Sequence, residues 1–174
     1  MKTTIHPLLH RATSPLGDIL LAATDQGLCG LWFDGQKHMP DMQGWPAGCN
    51  AVIEQAQLQM QQYFTKGRTT FDLPLDLRMG TPFQQSVWRA LLSISSGQHS
   101  SYGSIAQRIG NPQAVRAVGA AVGRNPISVI VPCHRVLGAS GALTGYAGGL
   151  ERKTALLQLE GVLPDTASAQ ASLI

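Results

Sequence analysis

The residues best suited to do chemistry are Pro132-Cys133-His134-Arg135, delivered by the apolar run Ile127-Ser128-Val129-Ile130-Val131. A thiol beside an imidazole and a guanidinium is a nucleophile next to two cationic groups that can favour its thiolate, the form that attacks. The run predicts a buried strand whose end holds Cys133 more rigidly than a loose loop would. In an extended segment, neighbouring side chains point to opposite sides, so His134 reaches Cys133 only through a bend or a bridging water. The competing reading is a buried structural cysteine, since free Cys is among the most buried residue types.

The elements that must position this tetrapeptide follow from periodicity and capping. Thr81-Pro82-Phe83-Gln84 is a strong helix start, and that helix should run to about Ser95, burying Val87, Trp88 and Leu91. A short helix fits Gly103 to Ile109, stopped by Gly110, and Asn111-Pro112 restarts a third that reaches about Val122. Two helices joined by a tight glycine-containing turn make a helix-turn-helix candidate. On the third helix Val115, Val118 and Val122 should face the core, leaving Arg116 on a surface of small residues. The alternative is a plain helical pair with a solvated arginine.

Upstream, Asp18 to Thr24 and Leu28 to Phe33 flank Asp25-Gln26-Gly27 and predict a β-hairpin. Residues 34–49 read as a loop. From Ala51 to Lys66 apolar residues recur at helical spacing, with Asn50 as N-cap and Gly67 as the stop. Another strand is expected over Thr69 to Leu73, and Pro74 to Gly80 reads as a connection.

A chain of 174 residues, 44% of them hydrophobic, suffices for one ordinary domain or two small ones. Cys29, Cys49 and Cys133 are too few and too widely spaced for a disulfide framework, which favours a reducing compartment. Met1 to Arg11 lacks the apolar core of a signal peptide, and no run approaches the roughly 18 apolar residues of a membrane span. A cytoplasmic protein is expected. Residues 80–150 contain Arg89, Arg108, Arg116, Arg124 and Arg135 but no Lys, Asp or Glu. An acid-free surface studded with arginine attracts a polyanion, and nucleic acid is the natural partner.

In their order and spacing, Tyr102, Arg116-Ala117-Val118-Gly119, Asn125-Pro126, Pro132-Cys133-His134-Arg135-Val136, Gly145-Tyr146-Ala147-Gly148-Gly149 and Leu156-Leu157-Gln158-Leu159-Glu160-Gly161 resemble the O6-alkylguanine-DNA alkyltransferase family. The resemblance covers residues 80–162 densely and the first half more weakly. It implies an α/β N-terminal domain over 1–79 (a small antiparallel sheet plus a helix). A mostly helical C-terminal domain of winged helix-turn-helix type should follow over 80–164; after Pro164 the residues are small and polar, and a disordered tail is expected at 165–174.

The resemblance further implies a repair protein that flips O6-alkylguanine, and O4-alkylthymine, out of duplex DNA and transfers the alkyl group irreversibly to Cys133. Each molecule would act once, with no cofactor, because a thioether is not reversed by thiol exchange. His134 would deprotonate Cys133 through a water, Glu160 would orient His134, and Tyr102 would rotate the nucleotide and donate a proton to the leaving guanine. Asn125 would be the hinge, although an Asn-Pro turn is a sufficient plain explanation of its type. Arg116 would fill the gap in the base stack, with Ala117, Gly119, Arg124 and Arg135 also on the DNA side. Tyr146, Ala147, Gly148 and Val136 would wall the pocket. Many relatives carry Ser where Ala147 stands, which removes one hydroxyl from the guanine O6.

Glu160 also has a reading of its own: a carboxylate at a helix C-terminus opposes the macrodipole unless a positive or hydrogen-bonding partner offsets the cost. Some relatives bind zinc in the N-terminal domain. Here Thr24, Cys29, His38 and Cys49 do not match a zinc spacing, so no metal is expected. The protein is expected to be a monomer in solution, able to assemble cooperatively on DNA. Two other classes compete: a binder of alkylated DNA without chemistry, and a Cys-His hydrolase, which would need an oxyanion hole.

Overall fold

The structure is a computed structural model that describes residues 6–165; the expected tail at 165–174 lies, beyond Asp165, outside the described residues. Three antiparallel strands form a meander in the order β1-β2-β3: Leu8–Ala12, Ile19–Thr24 and Gly27–Phe33. The expected hairpin is β2-β3, turning at Asp25-Gln26, and β1 is an additional strand. Every residue of β3 is buried, because helix α1 (Ala51–Phe64) covers one face and the 34–49 loop covers the other. On the loop side Met39, Met42 and Trp45 pack on Leu20, Cys29 and Trp32.

Helix α1 begins as its sequence predicts, with Asn50 Oδ1 accepting from the Ile53 amide at 3.0 Å. Its exit differs. Lys66, at φ 62°, takes the left-handed position expected of Gly67. Residues 69–73 form no strand: the Gln59 side chain donates to Asp72 O and accepts from Asp72 N, both at 2.9 Å, and so replaces a ladder. Pairing resumes only at Leu75, which bridges Leu28.

Helix α2 (Pro82–Leu91) carries the full capping box of Thr81 and Gln84 but stops short of Ser95. There the amides of Ser93 and Ile94 turn to Ala90 and Leu91, tightening the last turn. Strand β4 (Ser100–Ser101) leads into α3 (Tyr102–Arg108), followed by α4 (Val115–Gly123). Asn111-Pro112-Gln113 makes a turn, closed by the Ala114 amide on Asn111 O, so α4 starts later than Asn111-Pro112 suggests. Val118 and Val122 are buried as expected. Val115 is not: in the uncapped first turn of α4 it is 40% exposed. The Trp88 indole donates to Ala121 O at 2.8 Å and locks α2 against α4.

The apolar run 127–131 is buried but is not the predicted strand. Ile127 makes a single parallel bridge to Leu31, after which the chain curls through a turn with Val129 at φ 71°. A short apolar run is equally compatible with a buried turn, and periodicity does not distinguish them. Cys133–Arg135 then form one 3-10 turn, strand β5 (Val136–Leu137) pairs in parallel with β4, and α5 (Leu150–Leu159) closes the fold. One apolar core runs through both halves, from Leu31, Phe33, Met60 and Tyr63 to Val87, Leu91, Val118, Val131 and Leu156. No described helix is long and apolar enough to cross a membrane.

Candidate active site

Cys133 sits at the first position of the 3-10 turn and is 5% exposed. The turn, rather than a strand end, is what lets His134 and Arg135 leave the backbone on the side of Glu160. Asn125 braces the approach: its Nδ2 donates to Val131 O at 2.7 Å and to Cys133 Sγ at 3.0 Å, while its Oδ1 accepts from the Ile127 amide at 3.0 Å. A β-branched residue at positive φ is strained by about 1–3 kcal/mol, and Val129 holds that conformation inside the segment Asn125 clamps.

Glu160, the C-cap of α5, has the partners its position demands. Its Oε2 lies 3.0 Å from His134 Nε2, and both carboxylate oxygens are gripped by Arg135 at 2.8 and 2.7 Å. Tyr63, on α1, donates its hydroxyl to the same Oε2 at 2.8 Å. Burial works against this carboxylate, yet the hydrogen bonds from Arg135 and His134 prevail and hold its pKa at about 2. His134 is fully buried, and burial pushes its pKa below the usual value, so the imidazole is neutral. A neutral ring facing a carboxylate carries its proton on Nε2 and donates it there. Nδ1 is then a bare acceptor, buried and without a partner among the described residues.

The thiol differs from the expectation of a depressed pKa. Burial pushes Cys133 up to about 11, against the opposing pull of the Asn125 bond and the Lys153 charge. His134 is neutral and Arg135 is spent on Glu160, so neither supplies the positive field expected of it. Lys153, which sequence reading passed over, is the cation near the sulfur. It is fully buried, donates to Val136 O at 2.7 Å and Thr144 O at 3.1 Å, and is bonded to no carboxylate among the described residues. Among the described residues no hydrogen bond joins Cys133 Sγ to the His134 ring; the His134 contact that favours the thiolate is a backbone hydrogen bond.

Tyr102, Gly119, Gly123, Gly145, Tyr146 and Ala147 line one cavity of about 260 Å³ together with Lys37 and His38. Tyr102 Oη is 3.0 Å from Thr144 Oγ1. Tyr146 lines this cavity with its hydroxyl buried; burial raises its pKa well above the ordinary value, and Cys133 adds a smaller push in the same direction. Gly148 lies behind this wall, where a Cβ would come within 2.8 Å of the Tyr146 ring. Arg116, Ala117 and Arg124 are exposed on or just beyond α4. Two expected site residues are elsewhere. Arg135 is buried, with Nη1 also donating to Ile94 O, so it is not on a DNA-facing surface. Val136 is buried in β5 and walls no part of this cavity. A larger cavity of about 450 Å³ between Thr69–Leu75 and Leu92–Ser96 is lined by Pro132 and Arg135 and by none of Tyr102, Tyr146 and Ala147.

Residues 82–162 match the family model described as 6-O-methylguanine DNA methyltransferase, DNA binding domain, and residues 8–77 match its ribonuclease-like domain. The chain is 49% identical over 158 residues to the methylated-DNA--protein-cysteine methyltransferase of Mycobacterium tuberculosis, covering 88% of this chain and 93% of the relative. It is 48% identical over 149 residues to that of Methanosarcina acetivorans, covering 85% and 94%. Among solved structures, Mycobacterium tuberculosis OGT in complex with DNA superposes with a TM-score of 0.81 at 48% identity, over 90% of this chain and 92% of that one.

Proposed function

The chain belongs to the 6-O-methylguanine DNA methyltransferase family, and we propose that it repairs DNA by moving an alkyl group from a damaged base onto Cys133. DNA is its partner. The observation that carries the assignment of Cys133 is its place in one 3-10 turn with His134, whose partner Glu160 is held by Arg135 and Tyr63, while Asn125 donates to the sulfur.

The resting thiol is protonated, since burial holds its pKa at about 11. Activation therefore coincides with attack. A water between Cys133 and His134 Nδ1 carries the thiol proton to the imidazole, and Glu160 stabilises the imidazolium as it forms. The S–C bond forms as the bond from the alkyl carbon to guanine O6 breaks, and the electron pair passes to the guanine ring. Tyr102, on the cavity wall, donates the proton the leaving base needs. Lys153 favours the developing thiolate. The product is a thioether, which has no leaving group of use to water, so each chain reacts once.

An alkylated base in a stack hides its O6, and extrusion costs a few kcal/mol. Arg116 in the first turn of α4 occupies the gap. Gly119 and Gly123, one helical turn apart, leave the face of α4 beside the cavity smooth enough for a nucleotide to pass. Ala147 presents a methyl where a hydroxyl would narrow the cavity. The protein is a cytoplasmic monomer of two modules, 1–79 and 80–164, able to assemble along DNA.

The test is stoichiometry on a duplex with one O6-methylguanine per strand pair. Restored guanine should plateau at one per chain. Continuing turnover would indicate a hydrolase, and a stable complex with an intact lesion would indicate a binder.

A further inference from the structure

The cavity of Tyr102 and Tyr146 is roofed by the other half of the chain. Lys37 and His38, from the loop after β3, complete its rim opposite Gly119 and Gly123 of α4. The loop is fastened there by its backbone: the Lys37 amide donates to Ala147 O at 3.0 Å, across the two halves. Behind it, the buried Gln36 accepts from the Phe33 amide at 2.8 Å, and His38 turns the chain away at φ 61°. The backbone is thus held while the Lys37 side chain stays exposed. It has no ion-pair or hydrogen-bond partner among the described residues, and it is the one Lys or Arg in the cavity wall.

A free ammonium at the mouth of a lesion cavity, beside a DNA-facing helix, is the point charge that suits a phosphate. We infer that Lys37 binds the phosphate of the extruded nucleotide, so that the N-terminal half holds the flipped base in place. This rests on the alkyl-transfer reading above. It adds a binding residue outside the helix-turn-helix, on a loop whose position depends on the active-site segment it touches.

The experiment uses the full chain with Cys133→Ser, so that the lesion persists, and measures affinity for O6-methylguanine duplex and for undamaged duplex against salt concentration. Lys37→Ala keeps the amide that holds Ala147 and removes the charge. The slope of log K against log salt should fall by about one on lesion DNA and by clearly less on undamaged DNA. Lys37→Arg should restore it, and Lys66→Gln, on the far exit of α1, should leave both slopes alone. An unchanged slope on lesion DNA, or equal loss on both duplexes, overturns the inference. Failure of the chain with Cys133 intact to take up alkyl from the lesion would instead strike the reading beneath it.

Discussion

Tyr63 donates its hydroxyl to Glu160 Oε2 at 2.8 Å, joining the first helix of the chain to the carboxylate that holds His134. The His134–Glu160 pair is therefore braced from the N-terminal half. Hydrogen bonds to a charged group contribute roughly 1.5–3 kcal/mol. Tyr63→Phe should lower the unfolding free energy by about that amount in urea titration. Alkyl transfer should change only a few-fold, because Arg135 and His134 still fix the carboxylate. Unchanged stability would mean that the bond contributes nothing in solution.

Glu160→Gln keeps the size of the side chain and removes its charge. The imidazolium that forms during attack loses its stabilising partner, and the buried Arg135 loses its counter-ion, a change of about 3–5 kcal/mol in stability for broken buried pairs. Alkylation of Cys133 near pH 7 should slow about tenfold or more, and its pH profile should move to higher pH, while binding to undamaged DNA persists. Profiles that superimpose after correction for folded fraction would leave Glu160 a structural role only.

Acid should destabilise the protein in two steps. Burial holds the His134 pKa below 6.5, so the unfolded chain takes up that proton first, and stability present above pH 6.5 is lost as pH falls below it. Glu160, held at about 2 against an ordinary 4.5, adds a second loss between those values. Melting temperature should fall from about pH 6.5 downward, and His134→Gln should flatten the first step. A melting temperature independent of pH between 7.5 and 5 would contradict a buried neutral imidazole.

The helix caps were legible in the sequence because they are local: Asn50 and Thr81 need only residues three positions on. The site was legible in its residue types and order, carried by the family resemblance, but less so in its electrostatics. Arg135 reads as a DNA-facing cation until Glu160 and Ile94 O are brought to it by the fold. Lys153 reads as an ordinary surface lysine of α5, and nothing local reveals that it is fully buried on the carbonyls of Val136 and Thr144. Tyr63 reads as a core aromatic, which its ring is; only the hydroxyl belongs to the site. Strand β1 was missed because Leu-Leu-His-Arg-Ala does not alternate, although Ser14-Pro15-Leu16-Gly17 just beyond it is a turn signal. The run at 127–131 was misread because burial, not pairing, explains its composition.

Arg116 separates extrusion from chemistry. Arg116→Ala should slow repair of a lesion in duplex by one to two orders of magnitude, an estimate set by the few kcal/mol that extrusion costs. Its reaction with a free O6-alkylguanine base should fall much less. Rates measured on both substrates decide the point, and equal losses would assign Arg116 to folding or to the chemical step.

The most direct measurement of the central claim is the location of the alkyl group. The protein is mixed with a methyl-labelled lesion duplex, digested, and its three cysteine peptides compared by mass. Cys29 is buried with its thiol pushed up to about 12, and Cys49 is exposed with no catalytic partner, so neither should react. One methyl per chain on Cys133, and none after Cys133→Ser in a protein that still binds the lesion, is the predicted result. Methyl on Cys29 or Cys49, or transfer that survives Cys133→Ser, would contradict it.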